Sequence, residues 1–276
     1  MNIFSLPLNI NPIIHTYTMN RVLFLLALIY CSNAYAQKLP NKQETSLRIP
    51  AKIKFDGQAT EINDKFEAYN NAVEAFYTIS NDDEAIYFAF KSTIPLISRK
   101  VVAGGVTFSI KAPGKGKDVT VTYPYITKSN KLNINLRKAP SSGEQERLDS
   151  VILASNKEIT AKAKKLSVQG VTEFNDDSLS IYNDYDIKVA SKFNNSLAYV
   201  YELSIPLKTL GVPIKQLKEI TYTIALNGSM QVEGATFEYI TGGTRIISPT
   251  PDRPKREDMI AILSPTNCSG TYILKK

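Results

Sequence analysis

The sequence predicts an all-β protein, a two-sheet antiparallel sandwich with one or two short helices, and three observations predict it. Apolar and polar residues alternate with period two in eight or more segments, polar turn clusters separate those segments, and helical periodicity is scarce. Each alternating strand has one apolar face, and that many apolar faces need a second sheet to cover them. Taking the elements in order, Val73, Ala75, Tyr77 and Ile79 alternate with Glu74, Phe76, Thr78 and Ser80. Ile86, Phe88 and Phe90 alternate with Tyr87 and Ala89, and Asn81-Asp82-Asp83-Glu84 between the two segments marks a hairpin turn. The pattern returns in Val106-Phe108-Ile110, Val119-Val121-Tyr123 and Leu132-Ile134-Leu136, with Ala112 to Asp118 as a turn between the first two. It returns again in Tyr185-Ile187-Val189, Tyr199-Tyr201-Leu203-Ile205 and Ile220-Tyr222-Ile224-Leu226. The best helix is Glu144 to Ser155, where Leu148, Val151, Ile152 and Ser155 keep three-and-four spacing, and a short turn is expected at Pro206 to Leu210.

The front of the chain has a different character. Met19 to Gln37 reads MNRVLFLLALIYCSNAYAQ: Arg21 is a positive start, Val22 to Tyr30 an apolar core, and Ala34-Tyr35-Ala36 a small-x-small cleavage site. A bilayer span needs about 20 apolar residues, so this core is a signal peptide and not a membrane anchor. Bulky Leu28-Ile29-Tyr30 ahead of Cys31 does not suit a lipobox. Residues 1–18 carry no Lys, Arg, Asp or Glu, which points to Met19 as the true start. The expected organisation is an extension and signal peptide over 1–36, a polar lead-in over 37–48, and a single domain over 49–276, with Pro-rich Ser248 to Lys255 as a surface loop. Export places the mature chain in the periplasm, on the outer surface or outside the cell.

Removing residues 1–36 removes His15, the lone histidine of the 276-residue chain. Ser-His-Asp triads, Cys-His pairs and His-ligated zinc all need an imidazole, so the mature chain has none of them. No Gly-x-Ser-x-Gly elbow or Ser-x-x-Lys dyad occurs, and Gly114-Lys115-Gly116 lacks the spacing of a phosphate-binding loop. Cys268 alone survives processing, so no intramolecular disulfide forms, and about 240 residues can bury roughly 70% of their unfolded surface without one. The balance of 33 basic to 26 acidic residues falls to a net charge of +6 after cleavage. Its scattered Lys and Arg read as a solvated surface and not as a nucleic-acid footprint, with an anionic polysaccharide or envelope partner as the functional rival.

Carboxylate pairs are the catalytic option that the composition leaves open, since a glycosidase needs two acids about 5 Å apart if retaining and about 6.5–9.5 Å if inverting. Asp184 and Asp186 stand two apart on an expected strand and so on one face. Asp82-Asp83-Glu84 and Asp176-Asp177 lie in turns, where Asp serves the backbone; such acidic turns also leave room for a structural calcium ion, although no Asp-x-Asp-x-Asp-Gly loop is present. No organic cofactor is expected. The aromatic residues suggest a binding surface, because sugars stack C–H faces on flat rings while amides and carboxylates take their hydroxyls. Tyr123-Pro124-Tyr125 ends a strand, and Tyr182-Asn183-Asp184-Tyr185 joins rings to polar partners, so Tyr123, Tyr125, Tyr182, Asp184 and Tyr185 are the candidate ligand-binding residues. The competing expectation places these tyrosines in the core with their hydroxyls at its edge.

Several segments together resemble a known family. Ile53-Lys54-Phe55-Asp56-Gly57, Asn81-Asp82 before Ile86-Tyr87-Phe88-Ala89-Phe90, Gly104-Gly105-Val106-Thr107-Phe108 and Tyr201-Glu202-Leu203-Ser204-Ile205-Pro206-Leu207 resemble the family 9-like carbohydrate-binding modules, within the wider DOMON-like β-sandwich group. Order and approximate spacing match over residues 53–226, and the Tyr-Glu-x-x-Ile-Pro-Leu segment is the most specific. The resemblance implies a jelly-roll-like sandwich from secreted bacterial proteins, of the Bacteroidetes type above all, that binds glycan or polysaccharide without catalysing a reaction. The family follows its opening Asp-Gly with Glu-Trp where this chain has Glu61-Ile62, and it clamps sugar with paired Trp where this chain has none, which leaves Tyr as the substitute ring. The alternative is an envelope structural or protein-interaction sandwich that kept the scaffold without the clamp.

Overall fold

The computed structural model describes residues 38–49, 53–114, 118–127, 129–136, 144–171, 174, 178–229, 236–240, 243–247 and 256–276. The expected signal peptide and its cleavage site, Asp176-Asp177 and the Ser248–Lys255 loop lie outside these residues. The chain divides into Met1–Leu39 and a compact unit Pro40–Lys276, which holds the sandwich.

Four strands come first: β1 (Leu47–Arg48), β2 (Ala68–Asn70), β3 (Ala75–Asn81) and β4 (Ala85–Ser92). Helix α1 (Pro95–Gly104) follows, then β5 (Val106–Lys111), β6 (Val119–Tyr123) and helix α2 (Gln145–Lys162). After it run β7 (Lys165–Gln169), β8 (Ser178–Ser180), β9 (Lys188–Phe193), β10 (Tyr199–Pro206) and β11 (Glu219–Leu226). The chain closes with β12 (Thr236–Ile240), β13 (Gly243–Ile247), helix α3 (Arg256–Leu263) and β14 (Thr266–Ile273). One sheet has the order β1-β3-β4-β10-β9, with β2 also on β3; the other has the order β14-β11-β5-β6-β7-β8, and β12 and β13 form a two-stranded sheet of their own among the described residues. All pairs are antiparallel except β1 with β3. The all-β sandwich is therefore as expected, with three α-helices among the described residues in place of one or two.

The expected β3–β4 hairpin forms where the Asp cluster places it. The Asp82 carboxylate accepts the Glu84 and Ala85 amides at 2.8 and 2.7 Å, the side-chain turn that Asp favours. The core between the sheets is aromatic. Phe88 of β4 stacks on Phe108 of β5 with centroids 4.3 Å apart and planes 9° from parallel, and Tyr201 of β10 stacks on Tyr123 of β6 at 5.7 Å. The Tyr77 and Tyr222 hydroxyls meet at 2.7 Å from β3 and β11, so a polar bond bridges the sheets inside the apolar layer.

Four expectations need correction. Leu132, Ile134 and Leu136 are buried in alternation, yet the segment joins no sheet: Asn133 donates its amide to Glu158 of α2, and the side chains fill the core without a ladder. Tyr185 and Asp186 lie before β9 in a turn in which Asp186 has φ 61°, so Asp184 and Asp186 do not share a strand face. The helix expected over Glu144–Ser155 runs on to Lys162, because Ile152, Ser155 and Ile159 continue the buried stripe. The segment 37–48, read as a polar lead-in, contributes β1 to the first sheet.

Helix α2 also blunts an exposed sheet edge. The Asn156 amide donates to the Phe193 carbonyl at 2.9 Å and accepts the Phe193 amide at 2.8 Å, taking the place of a neighbouring strand at the end of β9. Asn156→Ala leaves both groups without this partner and should cost about 1–3 kcal/mol, read from the midpoint of urea unfolding. An unchanged midpoint would show that the cap is dispensable.

Candidate functional site

The strand registers line up one polar row on the outer face of the first sheet. Tyr87 of β4 faces Ser204 of β10, which faces Lys188 of β9. This row is the floor of an open groove of about 390 Å³. Asp83 and Glu84, from the β3–β4 turn, form one rim; Asp186 and Lys208 form the other, 3.7 Å from each other. Arg48 pairs with Asp83 behind the first rim.

Each floor residue has a defined state. Burial and the bond to Asp82 hold the Tyr87 phenol well above its ordinary range, and its hydroxyl donates to Asp82 at 2.6 Å. Burial alone would raise Asp82, but the Tyr87 hydroxyl and the Glu84 and Ala85 amides outweigh it and hold the carboxyl below its usual value. Tyr87 thus presents a fixed ring and a phenolic oxygen free to accept. Ser204 is buried in the floor, while Lys188 and Asp186 are exposed. The groove therefore combines one aromatic face, ammonium donors and carboxylate acceptors within a few side chains of each other, a set suited to a polyhydroxylated ligand.

Beside the groove, residues 53–62 cover the next part of the sheet and enclose a pocket of about 20 Å³, room for one water. Tyr87 lines both spaces, and the Phe55 ring stacks on it at 6.3 Å. Glu202 of β10, 5% exposed, points into the pocket and accepts the Gly57 amide at 2.6 Å and the Asp56 amide at 3.2 Å. Burial pushes its carboxyl up to about 7, with Glu61 and Asp56 adding to the rise and the Gly57 amide opposing it.

The residues singled out from sequence do not converge on one surface. Tyr123 is 3% exposed, stacks on Tyr201 and donates its hydroxyl to the Ala163 carbonyl, so it is a core residue whose ring no ligand can reach. Tyr125 is half-buried and donates its amide to Lys165. Tyr185 is half-buried, edge-on to Phe174 at 4.2 Å. Asp184 is exposed, and Tyr182 is 77% exposed with the Lys164 ammonium 5.5 Å from its ring centre. Asn183 shapes their loop by donating to the Ser180 and Ile187 carbonyls and accepting the Tyr185 amide. The loop that carries Tyr182 and Asp184 also carries Asp186 into the groove.

The groove residues come from three distant segments, and only strand pairing aligns them. The Glu202–Gly57 contact did have a sequence signal, since both residues belong to the segments that carry the family resemblance. Among the described residues, no three His, Cys, Asp or Glu side chains group to hold a metal ion. Among them, too, no helix is long and apolar enough to cross a membrane.

No family model and no curated protein matches the chain. One solved structure that it is similar to is a family 9 carbohydrate-binding module from Caldicellulosiruptor kristjanssonii in complex with glucose. The alignment covers 84% of this chain and 95% of that one at 9% identity, with a TM-score of 0.35. At those values the likeness assigns neither family nor ligand.

Proposed function

We propose that the chain is an exported, non-catalytic glycan-binding β-sandwich, with the groove over Tyr87, Ser204 and Lys188 as its sugar site and Tyr182 and Asp184 on the adjoining loop as secondary contacts. The observation that carries this reading is the groove's composition: the Tyr87 ring and the Lys188 ammonium on the floor, carboxylates on both rims, and a second ammonium, that of Lys208, beside Asp186. A sugar offers the complement, with C–H faces for the ring and hydroxyls that both donate and accept. The reading of Met19 to Ala36 as a cleaved leader supports export, and the lack of histidine after residue 36 supports binding without catalysis.

A glycan array on the mature chain, followed by calorimetry on the best ligand, tests the proposal. Lys188→Ala combined with Asp186→Asn should weaken binding about tenfold or more, the loss expected from two polar contacts at about 0.5–1.5 kcal/mol each, with an unchanged circular dichroism spectrum. Loss on Tyr182→Ala with the groove variants unaffected would move the site to the loop. A folded protein that binds no glycan would sink the proposal in favour of the protein-interaction sandwich.

A further inference from the structure

Residues 53–65 cross the outer face of the first sheet, and one buried side chain holds their centre. At Gly57, where φ is +74°, a Cβ would lie 2.7 Å from the Ser191 carbonyl carbon and 2.8 Å from the Lys192 nitrogen, so the segment rests directly on the backbone of β9. Glu202 grips this point through the Asp56 and Gly57 amides. The far end is tied by Asp64 to Lys91 at 2.7 Å. Between the two ties Ala59 and Asn63 take left-handed φ of 53° and 49°, and Asp64 at the second tie takes 57°. Asn and Asp tolerate that conformation, but Ala59 is strained by it and relaxes if the segment lifts.

The groups facing Glu202 set its response to pH. From the segment come Asp56 and Glu61, with Lys54 3.3 Å from Asp56 and its side chain mostly in solvent; from β4 comes Tyr87, committed to Asp82; from β9 comes Lys192, whose Cβ lies beside Gly57. The β3 residues that line the pocket, Thr78 and Ser80, are uncharged. An ionised Glu202 is thus a buried charge between two other carboxylates.

We propose that segment 53–65 is a flap latched by protonated Glu202 and released as Glu202 ionises, and that its release reshapes the adjoining groove by withdrawing Phe55 from Tyr87. The first half stands independently; the second rests on the glycan reading of the groove. Because the docked carboxyl titrates at about 7 against an ordinary 4.5, docking is strongest below the ordinary value and weakens as pH rises through about 7. The docking equilibrium should fall by on the order of a hundredfold across that window.

Amide hydrogen exchange across residues 53–62, corrected for intrinsic rates, reads the latch between about pH 5 and about pH 8.5. Protection in the wild type should fall at least tenfold with rising pH, while Glu202→Gln, which keeps an acceptor but cannot ionise, stays flat. A flat wild-type profile, or a variant that parallels it, overturns the latch. Should Glu202→Gln fail to fold, Glu61→Gln replaces it: removing that neighbouring charge must move the midpoint to lower pH, and an unmoved midpoint overturns the assignment to Glu202. Affinity for the array's best glycan is then measured at both ends of the range. Binding that ignores pH while the flap moves overturns the coupling; a protein that binds no glycan removes the groove reading and leaves the latch to stand or fall on exchange.

Discussion

Replacing Phe108 with alanine should lower the free energy of unfolding by about 3–5 kcal/mol, a large part of the about 5–15 kcal/mol that holds a typical domain together. Phe108 is 0% exposed, its ring lies 4.3 Å from that of Phe88, and it also stacks on Tyr222 of the neighbouring strand at 6.4 Å. The site cannot collapse to fill the space. β5 is hydrogen-bonded to β11 on one side and β6 on the other, so its backbone is fixed while the opposite sheet holds Phe88 in place. The truncation therefore loses both the transfer energy of the ring and the contacts of the atoms around it. Leu153→Ala, on a side chain 72% exposed, is the control and should stay within about 0.5 kcal/mol of the wild type. Urea unfolding measures both, and a loss below about 1 kcal/mol at Phe108 would contradict a close-packed seam between the sheets.

Phe108 belongs to the part of the fold that could be read from the chain. Alternation reports which residues face an apolar layer, and it placed Phe88, Phe90, Phe108, Tyr201 and Tyr222 inside, where each is at most 1% exposed. It does not report what the backbone pairs with, which is why Leu132–Leu136 has the pattern of a strand without belonging to a sheet. Nor does it show when the second face is covered as well. All eight residues of β10 are buried, but the cover over Glu202 comes from residues 53–62, far away in sequence. Helix α1 has a weak signal in the sequence because Ile97, Val101 and Val102 form a short stripe between two strong strands, although Pro95 at the first helical position is a start signal. β14 contains Asn, Ser and Gly, residues depleted in strands, and its exposed positions include Asn267, Ser269 and Thr271.

The site was less legible for a related reason. Tyr123 has the same composition whether its ring faces sugar or core, and only the stacking on Tyr201 decides it. Tyr87, Ser204 and Lys188 have no sequence spacing in common. Their alignment is a consequence of two strand registers, and a shift of one residue in either would turn one of them to the opposite face.

The second large effect is expected at Gln43, in the segment that looked like a polar lead-in. Its side chain is 7% exposed and imitates a strand on the edge of β3: Oε1 accepts the Ile79 amide at 2.6 Å and Nε2 donates to the Ile79 carbonyl at 2.7 Å. Its own amide donates to the Tyr77 hydroxyl, which bonds Tyr222 in the opposite sheet, so one short segment touches the bond that joins the two layers. A few residues on, the Tyr272 hydroxyl of β14 donates to the Leu47 carbonyl and accepts the Leu47 amide. Gln43→Ala strands the two Ile79 groups, and at about 1–3 kcal/mol for each buried group left unpaired, allowing for some relaxation, the loss should reach about 2–4 kcal/mol. Gln43→Glu is the sharper variant. It keeps the shape and can still accept the Ile79 amide, but at neutral pH it sets a second acceptor against the Ile79 carbonyl, so it should destabilise as well and recover partly when acid protonates the carboxyl. A chain begun at residue 49 loses β1, Gln43 and Leu47 together and should unfold at a lower temperature than either point variant; if it keeps full stability, the lead-in is an appendage and the two sheets hold without it.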